Sequence, residues 1–340
     1  MFDIGKAKTM HRHLFSLGRL AVAGLSILAA ASGSAWAADD AAAYPQRAVK
    51  IEVGFAPGGP TDVVARLIAD ELTREMGQPF IVENKAGADG HIASQFVARA
   101  QPDGYTLLLL TIANATGMSV HKNLGYDTNK DFLPIAQLTD SPNVLVVPPK
   151  SPIDSLQTLI QQAKAHPGTL TYASTGIGGS PHLAGELFNA RAGIDMLHVP
   201  YKGSSLVLTD LISGRVSISF LTALGSVKAM QTGQIRPLAV PYGSRLPALP
   251  NVPTTAEAGL PDFISNSWNG LAAPAGTPKP IVDKLAAAVD RILKKPSVQE
   301  RIDNLGGVVI IRTPQEFTAY IQAETDKWAK VVKAANIVAD

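Results

Sequence analysis

The chain has 340 residues, 46% of them hydrophobic and 17% charged, with a formal net charge of +2. That apolar mass suffices for one large or two ordinary domains and excludes a disordered or collagen-like chain. With no cysteine at all, the fold uses no disulfide, thiolate metal site, thiol nucleophile or lipidated N-terminal cysteine.

The charge is unevenly placed. Lys6, Lys8, Arg12 and Arg19 precede an apolar run from Leu20 to Ala31, and small residues lead to Ala35-Trp36-Ala37. This is the pattern of a secretory signal peptide cleaved after Ala37, and the apolar run is short for a membrane span. Without residues 1–37 the chain keeps 26 basic and 27 acidic side chains, a net charge of −1. No basic run remains, so nucleic-acid binding has no support. The expectation is an exported, soluble, periplasmic protein.

The mature chain alternates strand and helix. Val49–Phe55 is β-branched and apolar, and runs through Ala56-Pro57-Gly58-Gly59-Pro60 into a helix from Thr61 to Met76. A strand over 80–83, a helix over 91–100 and a strand over 105–110 follow; the unbroken leucines of the last suggest burial on both faces. Asp154 with Gln157 forms a capping box opening a helix that stops at His166. Strands over 170–174, 196–199, 216–220 and 236–240 and helices over 181–192 and 205–213 continue the rhythm. Residues 242–262, rich in proline, read as a surface excursion. Helices then open at Thr277-Pro278 and at the capping box Thr313-Pro314-Gln315-Glu316. The pattern predicts a parallel α/β architecture, and two lobes fit it better than a barrel, which periodicity alone does not exclude.

Two turns have the composition of anion cradles. Pro57-Gly58-Gly59-Pro60-Thr61-Asp62 and Ser174-Thr175-Gly176-Ile177-Gly178-Gly179-Ser180-Pro181-His182 each join a strand end to a helix start. There, free N–H groups and the helix dipole favour negative charge, and glycine allows close approach. The same glycines also suit plain βα turns that need them for their dihedrals alone. Neither turn is a nucleotide motif, because GxGxxG and GxxxxGK[ST] are both missing. Tyr201-Lys202-Gly203 follows a strand and offers an aromatic ring, a cation and a flexible residue to an acidic ligand. The histidines of the mature chain, His91, His121, His166, His182 and His198, come with no GxSxG elbow and no HExxH. No catalytic residue, metal site or cofactor is therefore expected. Ser180 and His182, two residues apart with no orienting acid, are a poor nucleophile and base.

The run Gly54-Phe55-Ala56-Pro57-Gly58-Gly59-Pro60-Thr61-Asp62 is followed by Ala65-Arg66, Gly77-Gln78-Pro79, Val82 to Gly90 and Pro102 to Leu107. Further on come Tyr172-Ala173-Ser174, His182-Leu183, Val199 to Gly203, Thr209-Asp210-Leu211 and Pro253-Thr254-x-x-Glu257-x-Gly259. In this order the motifs resemble the substrate-binding receptors of tripartite tricarboxylate transporters, the Bug family, over nearly all of the mature chain. The resemblance implies a type II periplasmic binding protein fold, with two α/β lobes, a hinge and a ligand cleft between them. It places one lobe at residues 44–139 plus 263–340 and the other at 140–262. It carries a carboxylate-binding role onto Phe55, Gly58, Gly59, Thr61 and Asp62 on one side and Ser174, Thr175, Gly176, Gly179, Ser180 and His182 on the other. Tyr201, Lys202 and Gly203 form a third loop.

Family members commonly carry an aspartate where Phe220-Leu221-Thr222-Ala223 stands here, so an apolar wall suited to an aromatic or otherwise hydrophobic carboxylate is expected. The implied function is capture of a small organic carboxylate by a monomer that is not an enzyme, for delivery to membrane transporter subunits. A sensor adaptor for a kinase is the alternative, and a secreted α/β hydrolase a weaker one.

Overall fold

The computed structural model describes residues 43–201 and 203–338; the leader expected over 1–37 and Lys202 lie outside the described residues. From Arg47 on, the chain forms one compact unit. Its first half runs β1 (Val49–Val53), α1 (Pro60–Met76), β2 (Phe80–Asn84), α2 (His91–Ala98), β3 (Thr106–Thr111), α3 (Ile112–Val120) and a short α4 (Thr128–Asp131). The long β4 (Phe132–Val147) leads to α5 (Leu156–Ala165), β5 (Thr171–Ser174), α6 (Ser180–Ala192), β6 (Leu197–Pro200), α7 (Ser204–Ile212), β7 (Ile218–Thr222), α8 (Val227–Gln231) and β8 (Arg236–Ala239). The chain returns on β9 (Asn266–Pro274) and ends with α9 (Lys279–Leu293), α10 (Pro296–Asn304), β10 (Val308–Val309) and α11 (Pro314–Ala334).

The strands form one sheet in the order β2-β1-β3-β9-β4-β7-β5-β6, with β8 and β10 both on β4. β1 pairs in parallel with β2 and β3, and β5 in parallel with β6 and β7. The joins β3–β9, β9–β4 and β4–β7 are antiparallel. The wholly parallel sheet expected from the βα rhythm is thus corrected to a mixed one, because the chain enters and leaves its second half on strands that run against their neighbours.

β4 belongs to both halves: residues from Phe132 to Pro142 pair with β9, and Asn143 to Val146 pair with β7. Neither β4 nor β9 shows in the sequence pattern. β4 contains Pro134 and Pro142 and buries Gln137, Thr139, Asp140, Ser141 and Asn143, so its hydrophobic alternation is broken. Register shifts next to Pro134 and Gln137 accommodate the irregularity.

The buried polar groups are paired across the switch point. Asn143 Nδ2 donates to Ser265 Oγ at 2.8 Å and its backbone N–H to Ser265 O. Ser141 Oγ accepts from Leu224 N, and Tyr242 Oη donates to Asp140 Oδ2 at 2.9 Å. Gln137 Nε2 donates to Asp140 Oδ1, and the Arg312 guanidinium donates to Gln137 Oε1. Burial pushes the Asp140 carboxyl up to about 6, against the opposing bond from Tyr242 and the charge of Arg312.

Three other expectations change. The helix expected from an Asp154 capping box is capped by Ser155, whose hydroxyl accepts from Thr158 N; Asp154 instead accepts from the Thr158 hydroxyl. Residues 242–262 are no mere surface excursion, since Leu246, Leu249 and Val252 are buried among Val144, Val146 and Leu221. Phe220 packs on Phe188 and Phe263 in the core of one sheet face, while Leu221 joins the core of the other. Strand alternation thus sends both into cores, and neither forms the expected apolar wall. The capping box at Thr313 and Glu316 is present as expected.

In the first half, Leu108 and Leu110 of β3 pack with Trp268 of β9 and with Phe317 and Trp328 of α11. Gly270 of β9 makes room for this packing: a Cβ there would stand 2.1 Å from Phe317 Cζ and 3.1 Å from the Ala136 carbonyl oxygen. Gly270→Ala is therefore expected to cost about 2 to 3 kcal/mol of stability by overpacking, read by denaturant unfolding. A variant as stable as the parent would contradict this packing account.

Candidate ligand-binding site

The two glycine turns are built alike, one in each half of the sheet. In the first, Gly59 caps α1 with extended backbone (φ −74°, ψ 167°), and Val63 N donates to Gly59 O at 3.0 Å. In the second, Gly179 caps α6 (φ −70°, ψ 161°), and Leu183 N donates to Gly179 O at 3.0 Å. Gly58 and Gly178 precede the caps at φ 77° and 81°, in the left-handed region that favours glycine. Each gives its N–H to the side chain four residues on: Gly58 N to Asp62 Oδ2 at 2.9 Å, and Gly178 N to His182 Nδ1 at 3.0 Å. Proline occupies the first or second helical position in both.

Asp62 and His182 therefore stand beneath the turns and hold their shape. Asp62 is buried, takes a two-pronged contact from Arg66 (2.8 and 3.0 Å) and accepts from Asn84 Nδ2 at 2.8 Å. Burial opposes its charge, but the bonds from Arg66, Gly58 and Asn84 outweigh that and hold the carboxyl below its ordinary range. Asn84 also donates to Phe55 O, tying the end of β2 to the same turn.

Under the second turn lies a stack of rings. His182 and His198 are parallel within 6° at 3.8 Å between centroids, with Tyr172 stacked on His198 at 4.9 Å. The Tyr172 hydroxyl donates to Glu186. His198 Nε2 meets Ser174 Oγ at 2.6 Å. Ser174 Oγ donates to Gly176 O and accepts from Gly176 N, so His198 is assigned as the donor to it. His182 accepts at Nδ1 and so carries its proton on Nε2, toward Glu186 at 3.8 Å. Burial drives both imidazoles neutral, His182 down to about 3, helped by His198 beside it, and His198 down to about 4.

The remaining expected residues sort by what engages them. Ser180 is buried and its hydroxyl donates to Asn143 Oδ1 at 3.0 Å, which leaves no Ser180–His182 pair of the kind a hydrolase needs. Gly59 N donates to Ala56 O, so the N–H groups of Gly58, Gly59, Gly176 and Gly178 are all taken up within their turns. The first-turn N–H groups of Thr61 and Asp62, and of Ser180 and His182, lack intrahelical partners by the geometry of a helix start. Thr61, Thr175, Gly176 and Gly179 are half-buried. Tyr201 N donates to Ser174 O, which joins the third loop to the second turn, but the Tyr201 hydroxyl donates to Asp210 Oδ2 in α7. Gly203 caps α7 with φ 113°.

Contacts across the sheet halves draw these turns into one neighbourhood. A Cβ on Gly225, after β7, would stand 2.6 Å from Pro60 Cγ, and one on Gly178 would stand 3.0 Å from Val120 of α3. One on Gly176 would stand 3.8 Å from Asp89 Oδ1. Gly90 lies against Gly54 and Phe55 of the first turn. The i, i+4 spacing of Asp62 and Arg66 is a legible sequence signal for the brace under the first turn. His198 and Asn143 have none, because their positions follow from strand pairing (Tyr172 opposite His198, Asn143 opposite Thr222). Among the described residues no group of three metal-ligating side chains exists.

Residues 64–337 match the family described as "Tripartite tricarboxylate transporter family receptor". The chain is 37% identical to protein BugT of Bordetella pertussis over 316 residues, covering 92% of this chain and 96% of that one. Among solved structures it is similar to R. palustris Rpa4515 with adipate (37% identity, TM-score 0.80, 86% of this chain and 98% of that one). It is also similar to MatC from Rhodopseudomonas palustris with bound malate (36%, TM-score 0.76, 85% and 100%). The periplasmic binding protein BugD stands at 35% identity and TM-score 0.77, over 86% of this chain and 99% of that one. The chain belongs to the tripartite tricarboxylate transporter receptor family, whose members are periplasmic solute-binding receptors, and it has their two-lobed α/β fold. No helix among the described residues is long and apolar enough to cross a membrane.

Two outcomes test this construction. Ser180→Ala is expected to lower stability by about 1 kcal/mol through the lost bond to Asn143. His198→Phe keeps the ring stack and loses the Ser174 bond, at about 1 kcal/mol near neutral pH. It should also flatten the acid side of the stability profile. An imidazole whose folded pKa is depressed leaves stability unchanged above about pH 6.5 and costs it as the pH falls toward the folded value, because the unfolded chain takes up the proton first. Denaturant unfolding between pH 7.5 and 4 should show about one proton less of pH dependence in His198→Phe than in the parent. Equal slopes would mean His198 is not buried neutral.

Proposed function

We propose that this receptor captures a small organic carboxylate between its two lobes, with the acid group seated on the starts of α1 and α6. The observation that carries this reading is the repeated turn, in which Gly58 on Asp62 and Gly178 on His182 fix two helix starts from opposite sheet halves near each other. Rigid helix starts present oriented N–H donors to an anion without adding a charge. The likeness to relatives solved with adipate and with malate supports a carboxylate over other anions.

In this reading, residues 44–139 with 263–340 form one lobe and 140–262 the other, and the shared strand β4 with β9 acts as the hinge. Phe55, Gly58, Gly59, Thr61, Ser174, Thr175, Gly176, Gly179, Ser180 and the Tyr201-Lys202-Gly203 loop surround the acid group. Asp62 and His182 support it from below. Ligand binding shifts the population toward the closed form, and no bond is made or broken in the ligand. Residues 1–37 direct export and are removed, the mature receptor works as a monomer in the periplasm, and the loaded form docks on transporter subunits.

The test is thermal unfolding of the mature protein, unfolded and refolded to strip carried ligand, against aliphatic di- and tricarboxylates and aromatic carboxylates. A ligand at 100 times its dissociation constant adds about 2.7 kcal/mol, a readily visible shift. A shift confined to one carboxylate class, with the compound recovered unchanged, is the expected result. No shift with any carboxylate would remove the reading.

A further inference from the structure

The turn between β2 and α2 is the most strained stretch of backbone near the site. Gly87, Ala88, Asp89 and Gly90 have φ of 138°, 45°, 50° and 92°, four consecutive residues on the side of the map that L side chains avoid. Asp89 sits at φ 50°, ψ 31°, in the left-handed region that aspartate and asparagine tolerate better than most residues. Such strain persists only where the surroundings fix it, and it concentrates at functional sites. Here it is fixed by contact with the first glycine turn, since Gly90 lies against Gly54 and Phe55.

Its effect is to aim one carboxylate at the second glycine turn. Asp89 Oδ1 lies 3.8 Å from where a Cβ on Gly176 would stand, so the side chain reaches from one sheet half to the other at the level of the cradle. Asp89 is solvent-accessible, and among the described residues no hydrogen bond or ion pair takes up its oxygens. Asp62, by contrast, is buried, and its oxygens are taken up by Gly58, Arg66 and Asn84.

We propose that Asp89 is a specificity-determining residue of the ligand site, accepting a hydrogen bond from a hydroxyl or ammonium group on the carbon chain of the bound carboxylate. This rests on the carboxylate-receptor reading above. The acid group of the ligand meets oriented N–H donors, whereas Asp89 offers acceptors only. A second carboxylate next to it is repelled, and a plain methylene chain leaves its oxygens stripped of water with no partner in return. Only a donor satisfies it, so 2-hydroxy and 2-amino acids are favoured over unsubstituted chains of equal length.

The test is isothermal titration of the stripped mature protein with succinate, L-malate and L-aspartate. These share a four-carbon diacid skeleton and differ in bearing hydrogen, hydroxyl or ammonium on one carbon. The parent is expected to bind malate or aspartate at least tenfold more tightly than succinate. Asp89→Asn keeps a side chain that tolerates left-handed backbone and should bring that ratio to within about threefold, with succinate binding unchanged or tighter. Asp89→Gly, which relieves the strain at that position, should do the same. If both variants bind with the parent's ratio, Asp89 is not a determinant, while the receptor reading stands. If the parent binds none of the three but binds another carboxylate, the receptor reading stands and the assignment of Asp89 falls. If no carboxylate binds the parent, both fall together.

Discussion

Both halves of this protein are built on one strand. β4 gives its first eleven residues to β9 and its last to β7 and β8, so each sheet half is completed by the same sixteen-residue segment. Pairing with β9 up to Pro142 passes directly to pairing with β7 from Asn143, and the side chains at the switch are polar and mutually bonded. Asn143 shows how far the site depends on this strand. It donates to Ser265 in the returning crossover and accepts from Ser180 at the start of α6. One buried amide thus joins the outgoing strand, the returning strand and the helix start under the second glycine turn. Asp140 does the same for the second half, holding Tyr242 on one oxygen and, through Gln137, the Arg312 side chain from the C-terminal region.

With the strand fixed, the two turns become equivalent solutions to one problem. A tight turn before a helix needs a left-handed residue, and its N–H must find an acceptor. In the first half the acceptor is a carboxylate, neutralised by Arg66; in the second it is a neutral imidazole shielded by another. Both leave the helix start with no uncompensated charge. The chemical difference between Asp62 and His182 conceals a geometrical identity, the i to i+4 bond from Gly58 and from Gly178.

That identity marks the limit of what the sequence discloses. The turns themselves are legible, because glycine and proline between an apolar run and an amphipathic helix admit few conformations, and the two-lobed architecture follows from them and from the family motifs. The parallel units at both ends of the sheet are legible for the same reason. β4 and β9 are not, since Pro134, Gln137, Asp140, Pro142 and Asn143 disguise a buried strand as a loop, and their burial is tolerable only because of partners more than a hundred residues away, such as Ser265 and Tyr242. The roles of Asp62 and His182 are half legible. Their proximity to the cradle is apparent in the chain, but their direction, inward to the turn or outward to a ligand, depends on rotamers and neighbours that no local pattern encodes. The expected apolar wall at Phe220 fails for a related reason: a shift of two residues in the strand's start, to Ile218, leaves the spacing intact while the pleat and the pairing with β4 decide which core each side chain enters.

The groups that shape the two turns are separate from those that face them. Of the described groups that brace the turns, Asp62 is paired with Arg66, and His182 and His198 are held neutral. If the acid group sits there as proposed, such a cradle attracts it through dipoles and gives little discrimination between one carboxylate and another. On that reading selectivity comes from groups that lie outside this closed network yet face it. Asp89, the residue proposed above, meets that description: it stands on a strained loop against the first turn, among the described residues no hydrogen bond or ion pair takes up its oxygens, and it takes no part in the bonds that shape the helix starts. On the proposal made above, a ligand that satisfies Asp89 touches both sheet halves, because Asp89 belongs to one and the turn it faces to the other. The proposal thereby ties discrimination to closure: a carboxylate without the matching donor would meet the cradle but give the closed form little advantage over the open one.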